Sequence, residues 1–137
     1  MIEEYFRKRF GIPKNIFSRY WILEKKKRYW IASEDIKRAD LRGLRIEVIG
    51  MLLARKNREI KPTTDAVQVF GRFAKKNRIE LDEKQFHDLL RGLDIQVKAK
   101  AEDGYVILFF KQAPVAVGLY RQGRIKNVIP KARRLKL

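Results

Sequence analysis

The sequence contains no cysteine at all. A disulfide scaffold, a thiolate metal site and a cysteine nucleophile are therefore excluded. Histidine is almost as scarce. The one histidine, His87, falls on the polar flank of a helical pattern, where a surface residue is the plainer reading than a general base, which needs a positioned partner. Ser18 and Ser33 are the only serines, and neither sits in a nucleophile-elbow pattern. No glycine-rich phosphate loop, dinucleotide fingerprint or cluster with metal-ligand spacing occurs. The neighbouring carboxylates Glu34-Asp35 and Asp82-Glu83 fall at expected helix starts, where capping explains them better than acid–base work. No apolar run approaches the roughly 20 residues of a membrane span, and the charged opening MIEEYFRKRF is no signal peptide. These absences exclude the common catalytic classes and leave the expectation of an intracellular, cytoplasmic protein with no membrane, metal or cofactor.

Acid is also scarce where it would matter most. The 137 residues carry 33 Lys+Arg against 16 Asp+Glu, a net charge of +17. From Gly104 to Leu137 there is no acid, against Lys111, Arg121, Arg124, Lys126, Lys131, Arg133, Arg134 and Lys136. Thermal adaptation raises Lys, Arg and Glu together, so it explains the charge density but not its sign. A polyanionic partner explains both, nucleic acid before all others.

What is present is one domain's worth of periodic apolar sequence, with no repeat, linker or low-complexity segment. Ile2, Tyr5, Phe6 and Phe10 recur at helical spacing up to a stop at Gly11-Ile12-Pro13. Residues 20–33 read as a hairpin turning at Lys25-Lys26-Lys27, with Arg28 beside it. EDIKRADLRG reads as a helical turn or loop, and 44–56 as a strand bulged at Gly50. Two helices are expected next. In the first, Ala66, Val69, Phe70, Phe73 and Ala74 share a face, and Asp65 with Gln68 forms a capping pair. In the second, Phe86, Leu89, Leu90 and Leu93 form the stripe, capped by Asp82 with Gln85 and ended by Gly92. GYVILFF, 104–110, is apolar on both faces, as in a central strand. Strands over 114–121 and around 123–126 follow, with Val117, Leu119 and Ile125 expected to point inward. Strands without regular β-α alternation indicate an α+β domain with a mixed, mainly antiparallel sheet and flanking helices.

Cations next to aromatics suit single-stranded RNA, with charge meeting phosphate and rings stacking on bases. Lys25, Lys26, Lys27 and Arg28 lie near Tyr20, Trp21, Tyr29 and Trp30; the basic carboxyl-terminal third has Tyr120. Large rings also dominate cores, so Trp21 and Trp30 read as core-facing at least as readily, while Tyr29 and Tyr120 are the candidates for exposure.

The order GMLLARKNREIKPTTDAVQVF, FHDLLRGLDI, GYVILFFKQAPVAVGLYRQGRIKNVIPK resembles the RNA-binding PUA-like domain that ends Sun/Fmu-type RNA cytosine-5 methyltransferases. The resemblance runs from about residue 44 to 134. Leu90-Arg91-Gly92, Gly104-Tyr105-Val106 and Lys126-Asn127-Val128-Ile129-Pro130 match motifs of that family. Pro114 to Gly118 matches in part, with Ala116 where the family has a glycine. The resemblance implies a PUA-like β pseudo-barrel, here as a stand-alone module over 44–137, with 1–43 as an archaeal-style extension packed on it. It implies RNA as ligand, rRNA or tRNA, with no catalysis: methyl transfer in that family needs cysteines and a cofactor domain. An RNA-modifying enzyme acting in trans is a compatible partner. The contacts expected are Lys25, Lys26, Lys27, Arg28, Arg91 and Gly92 of the Leu-Arg-Gly element, Tyr120, Arg121, Arg124, Lys126, Asn127, Lys131, Arg133 and Arg134. Asn127 reads equally as a cap on the turn before Pro130. The rival reading is a basic interaction module that binds an acidic protein.

Overall fold

The computed structural model describes residues 2–33 and 50–127. Helix α1 (Ile2–Phe10) buries Ile2, Phe6 and Phe10, one residue per turn, and sets Glu3 and Glu4 at its positive end and Arg7, Lys8 and Arg9 at its negative end. Gly11, at φ 68°, closes it through bonds from its N–H to the Arg7 carbonyl and from the Ile12 N–H to the Phe6 carbonyl. A 3-10 turn (Lys14–Phe17) leads into β1 (Tyr20–Lys25), which pairs with β2 (Arg28–Ser33). The turn is tighter than the three lysines suggested. Lys26 and Lys27 alone form it, both with positive φ, the two-residue geometry that matches strand twist. β3 (Met51–Lys56) and β4 (Ile60–Pro62) complete an antiparallel sheet ordered β1-β2-β3-β4. The irregularity in this sheet is not at Gly50, which precedes the strand. It falls at Leu53, where Tyr29 pairs with Ala54 but Trp30 pairs with Leu52. EDIKRADLRG and residues 44–49 lie outside the described residues.

Helix α2 (Thr64–Phe70) starts two residues earlier than the Asp65–Gln68 pair suggested. Thr63 is the cap, its hydroxyl accepting from the Ala66 N–H at 3.0 Å. Its buried face is Ala66, Val67 and Phe70; Val69, expected inside, is 46% exposed. A 3-10 turn (Gly71–Phe73) follows, then β5 (Arg78–Leu81). Helix α3 (Glu83–Leu90) has the expected capping box between Asp82 and Gln85. It ends at Gly92, φ 85°, in a Schellman pattern: the Gly92 N–H bonds to the Leu89 carbonyl and the Leu93 N–H to that of Asp88. β6 (Ile95–Gln96), β7 (Gly104–Phe110), β8 (Ala113–Arg121) and β9 (Arg124–Asn127) complete the described chain.

The second sheet is ordered β5-β7-β8-β9-β6 and curls into a half-barrel. β5 runs parallel to β7; every other pairing is antiparallel. The architecture is thus α+β with a mixed, mainly antiparallel sheet, as the sequence indicated. β4, β5 and β6 are two to four residues long, too short for a strand period to stand out in sequence, although Arg78-Ile79-Glu80-Leu81 does alternate.

β7 separates two cores. Ile107 and Phe109 join α1, α2 and the first sheet's Tyr29, Ile31 and Leu53. Val106 and Leu108 point the other way, to Ile79, Leu81, Leu89, Ile95, Tyr120 and Ile125. A strand buried on both faces must be apolar at every position, which is why GYVILFF reads as it does. Gly118 of β8 is fixed by the same packing: a Cβ there would lie 2.5 Å from Ile125 Cγ2. Arg9 joins the layers, donating to the carbonyls of Tyr105 (2.8 Å) and Glu102 (2.7 Å).

Candidate nucleic-acid interface

The carboxyl-terminal strands have two different faces. Tyr120 pairs in register with Ile125 and Leu119 with Lys126. Because direct neighbours share a face, Tyr120 and Ile125 point to the core while Leu119, Arg121, Arg124 and Lys126 share the outer face. Tyr105 of β7, opposite Leu119, extends that row. Leu119, Arg121, Arg124, Lys126 and Asp94 line an open cavity of about 320 Å³. This is at the lower end of the ligand-pocket range of about 300–1,000 Å³.

The charges here are not without acids, as the bare sequence of the last third suggested. Arg121 pairs with Glu59 at 3.0 Å and Arg124 with Asp94 at 3.0 Å. Both acids come from elsewhere in the chain, 62 and 30 residues away. Among the described residues Lys126 has no ion-pair partner. Burial pushes the Tyr105 hydroxyl above its ordinary value, Glu59 adding to the shift and Arg121 opposing it. Such exposed pairs contribute about 0–1 kcal/mol, so Arg121 and Arg124 can exchange a carboxylate for a phosphate at little cost.

Three expected contacts have structural roles instead. Tyr120 is 6% exposed and lies in the second core, its hydroxyl donating to the Ala99 carbonyl at 3.4 Å. β8 meets a core on each face: Val117 enters the first as expected and Tyr120 the second, while Leu119, on the Val117 face, is half-buried beside the cations rather than inside. Asn127 is buried. Its amide donates to the carbonyls of Leu89 (2.7 Å) and Leu93 (3.2 Å), and its N–H to Asp94 Oδ1 (3.0 Å). It therefore fastens the end of α3 to β9; the turn before Pro130 lies outside the described residues. Gly92 supplies the backbone that ends α3, and Arg91 beside it is exposed.

The aromatic assignment is reversed in the hairpin as well. Tyr29 is 6% exposed in the first core. Trp21 and Trp30 are half-buried, and neither belongs to the two core clusters. Lys26, Lys27 and Arg28 are exposed around the turn, with Lys25 half-buried. Lys131, Arg133 and Arg134 lie outside the described residues. His87 is exposed on α3, and among the described residues no group of His, Cys, Asp or Glu could hold a metal ion. No described helix is long and apolar enough to cross a membrane. Asp94 and Glu59, which shape the interface, were missed from sequence. Asp94 had a signal, two residues after the helix-ending Gly92; Glu59 had none.

A curled mixed sheet whose two edge strands both meet a capped helix is the architecture of a PUA-like domain. Residues 76–135, which include all five strands of that sheet, match the family model of the methyltransferase RsmF PUA domain. This stretch, less than half of the chain, is similar to the PUA domain of RsmF-type methyltransferases, a kind of domain that implies RNA binding. Over 134 residues, 93% of its length, it is also 27% identical to the ribosomal RNA small subunit methyltransferase F of Psychromonas ingrahamii. The chain spans 27% of that protein's length.

Proposed function

We propose that this is a non-catalytic RNA-binding protein that acts on structured rRNA or tRNA, as an accessory factor in RNA modification or ribosome assembly. The observation that carries this reading is the cationic outer face of Arg121, Arg124 and Lys126 around Leu119, built on the family-matched sheet. The name of the relative, a small-subunit rRNA methyltransferase, favours rRNA. In this reading residues 44–137 form the RNA-binding domain. Residues 1–43 are an extension that supplies two strands of the first sheet and α1.

The mechanism is electrostatic positioning. The arginines and Lys126 neutralise phosphates, and the Leu119 floor beside Tyr105 receives an apolar base or sugar surface. Nucleophile and general base are not required. Filter binding of rRNA fragments and tRNA tests it, with polyglutamate as competitor. RNA should compete far better than polyglutamate; equal competition would leave the rival reading, a module for acidic proteins. With single-stranded ligand, R121Q/R124Q/K126Q should flatten the slope of log K against log salt by about 0.7 per lost contact, about 2 in all. An unchanged slope removes this face from the interface.

A further inference from the structure

The first sheet carries a line of like charge that its register creates. Lys25 pairs with Arg28, Arg28 with Arg55, and Arg55 with Lys61. One cation thus stands directly opposite the next across all four strands. At about 4.8 Å between strands the line is about 14 Å long. Like charges directly opposite are unfavourable in a sheet. No carboxylate among the described residues pairs with Arg28, Arg55 or Lys61. The ion pair of Lys56 with Glu24, at 3.6 Å, involves neither arginine. The Lys61 ammonium is held below its ordinary range by burial first and by Arg55 second, so the repulsion is felt by the group itself.

The same face carries both tryptophans of the chain. Tyr29 points to the core, so Arg28 and Trp30 on either side of it point outward, and Trp30 lies opposite Leu23 and Leu52. Trp21, two and four residues before Leu23 and Lys25, is on that face too. Cations beside stacking rings are the elements of a single-strand platform. The surface adjoins the first one: Lys61 is two residues from Glu59, which pairs with Arg121.

We propose that the outer face of the four-stranded sheet is a second RNA contact, in which Arg28, Arg55 and Lys61 hold the backbone of an unpaired segment and Trp30 stacks on its bases. This rests on the RNA-binding reading above. It adds a surface that lies outside the family-matched residues 76–135.

The test is titration of the full chain with a single-stranded oligoribonucleotide between 50 and 200 mM salt, read by anisotropy and by intrinsic tryptophan fluorescence. In the wild type, fluorescence should be quenched in step with binding, because both tryptophans report from this face. R28Q/R55Q/K61Q should flatten the salt slope by about 2, at about 0.7 per single-strand contact, and weaken the quenching. The variant should melt no lower than wild type, because neutralisation removes repulsion, so the loss cannot be ascribed to unfolding. A wild type that binds no RNA overturns the proposed function itself. A wild type that binds while the variant keeps its slope, or while the tryptophans stay unquenched, overturns this face alone.

Discussion

Asn127 shows how a residue at the edge of a cationic strand can be fully committed to structure. It satisfies two carbonyls at the end of α3, groups that a helix terminus otherwise leaves open. Asn127→Ala would remove both of these bonds. It should cost about 1–3 kcal/mol in urea unfolding while leaving the salt slope of RNA binding unchanged. A variant of full stability, or one with a flattened slope, would place Asn127 in the interface instead. Glu4 is the converse case, an exposed carboxylate with three cations around it. The Arg7 guanidinium, then the Lys14 ammonium, hold it down at about 2 against an ordinary 4.5. Lys14 stands 2.6 Å away across the break between α1 and the 3-10 turn. A carboxyl depressed on folding stabilises above its unfolded value and stops doing so as pH falls through the folded one. The melting-temperature gap between wild type and Glu4→Gln should therefore be constant above pH 4.5 and close between pH 4.5 and about 2. A gap that persists at pH 2 would contradict this pairing.

At the scale of elements, the hairpin carries a conflict between stability and charge. Lys26 and Lys27 occupy left-handed backbone, φ 51° and 60°, which Asn and Gly adopt far more readily. Each such residue costs on the order of 1 kcal/mol. K26N/K27G should raise the melting temperature by an amount equivalent to about 1 kcal/mol or more and weaken RNA binding at low salt. A more stable variant with undiminished affinity would mean that the turn lysines do not meet RNA. The cross-strand row of Arg28, Arg55 and Lys61 shows the same opposition on a larger element, since the pairing sets like charges directly against one another. Among the described residues no carboxylate pairs with Arg28, Arg55 or Lys61, and such a row suits an anion from outside.

At the scale of the molecule, the two cationic surfaces lie on different sheets joined by the Glu59–Arg121 pair. The five-stranded sheet lies in the family-matched stretch and the four-stranded sheet precedes all of it in the chain. An RNA held by both would be gripped at two points, and the loss from neutralising both surfaces would exceed either alone.

By itself the sequence determined the local elements: α1, the aromatic hairpin, the boxed and glycine-ended α3, and the doubly apolar β7. It also determined the acid-free last third. Each rests on spacing within a dozen residues, which the backbone period converts directly into a face or a turn. Only the tertiary structure decided which face is outward. Strand side chains alternate with a period of two, so reading the phase one residue off exchanges inside for outside. In β2 that alternation buried Tyr29 and left Trp30 outside both cores; in β8 a core lies on each face, so Tyr120 is buried as well as Val117. The long-range pairings were likewise beyond local pattern. Glu59 meets Arg121 and Arg55 stands between Arg28 and Lys61 because strands distant in sequence are hydrogen-bonded side by side. The amount of positive charge is therefore a property of the sequence; its division into two surfaces is a property of the fold.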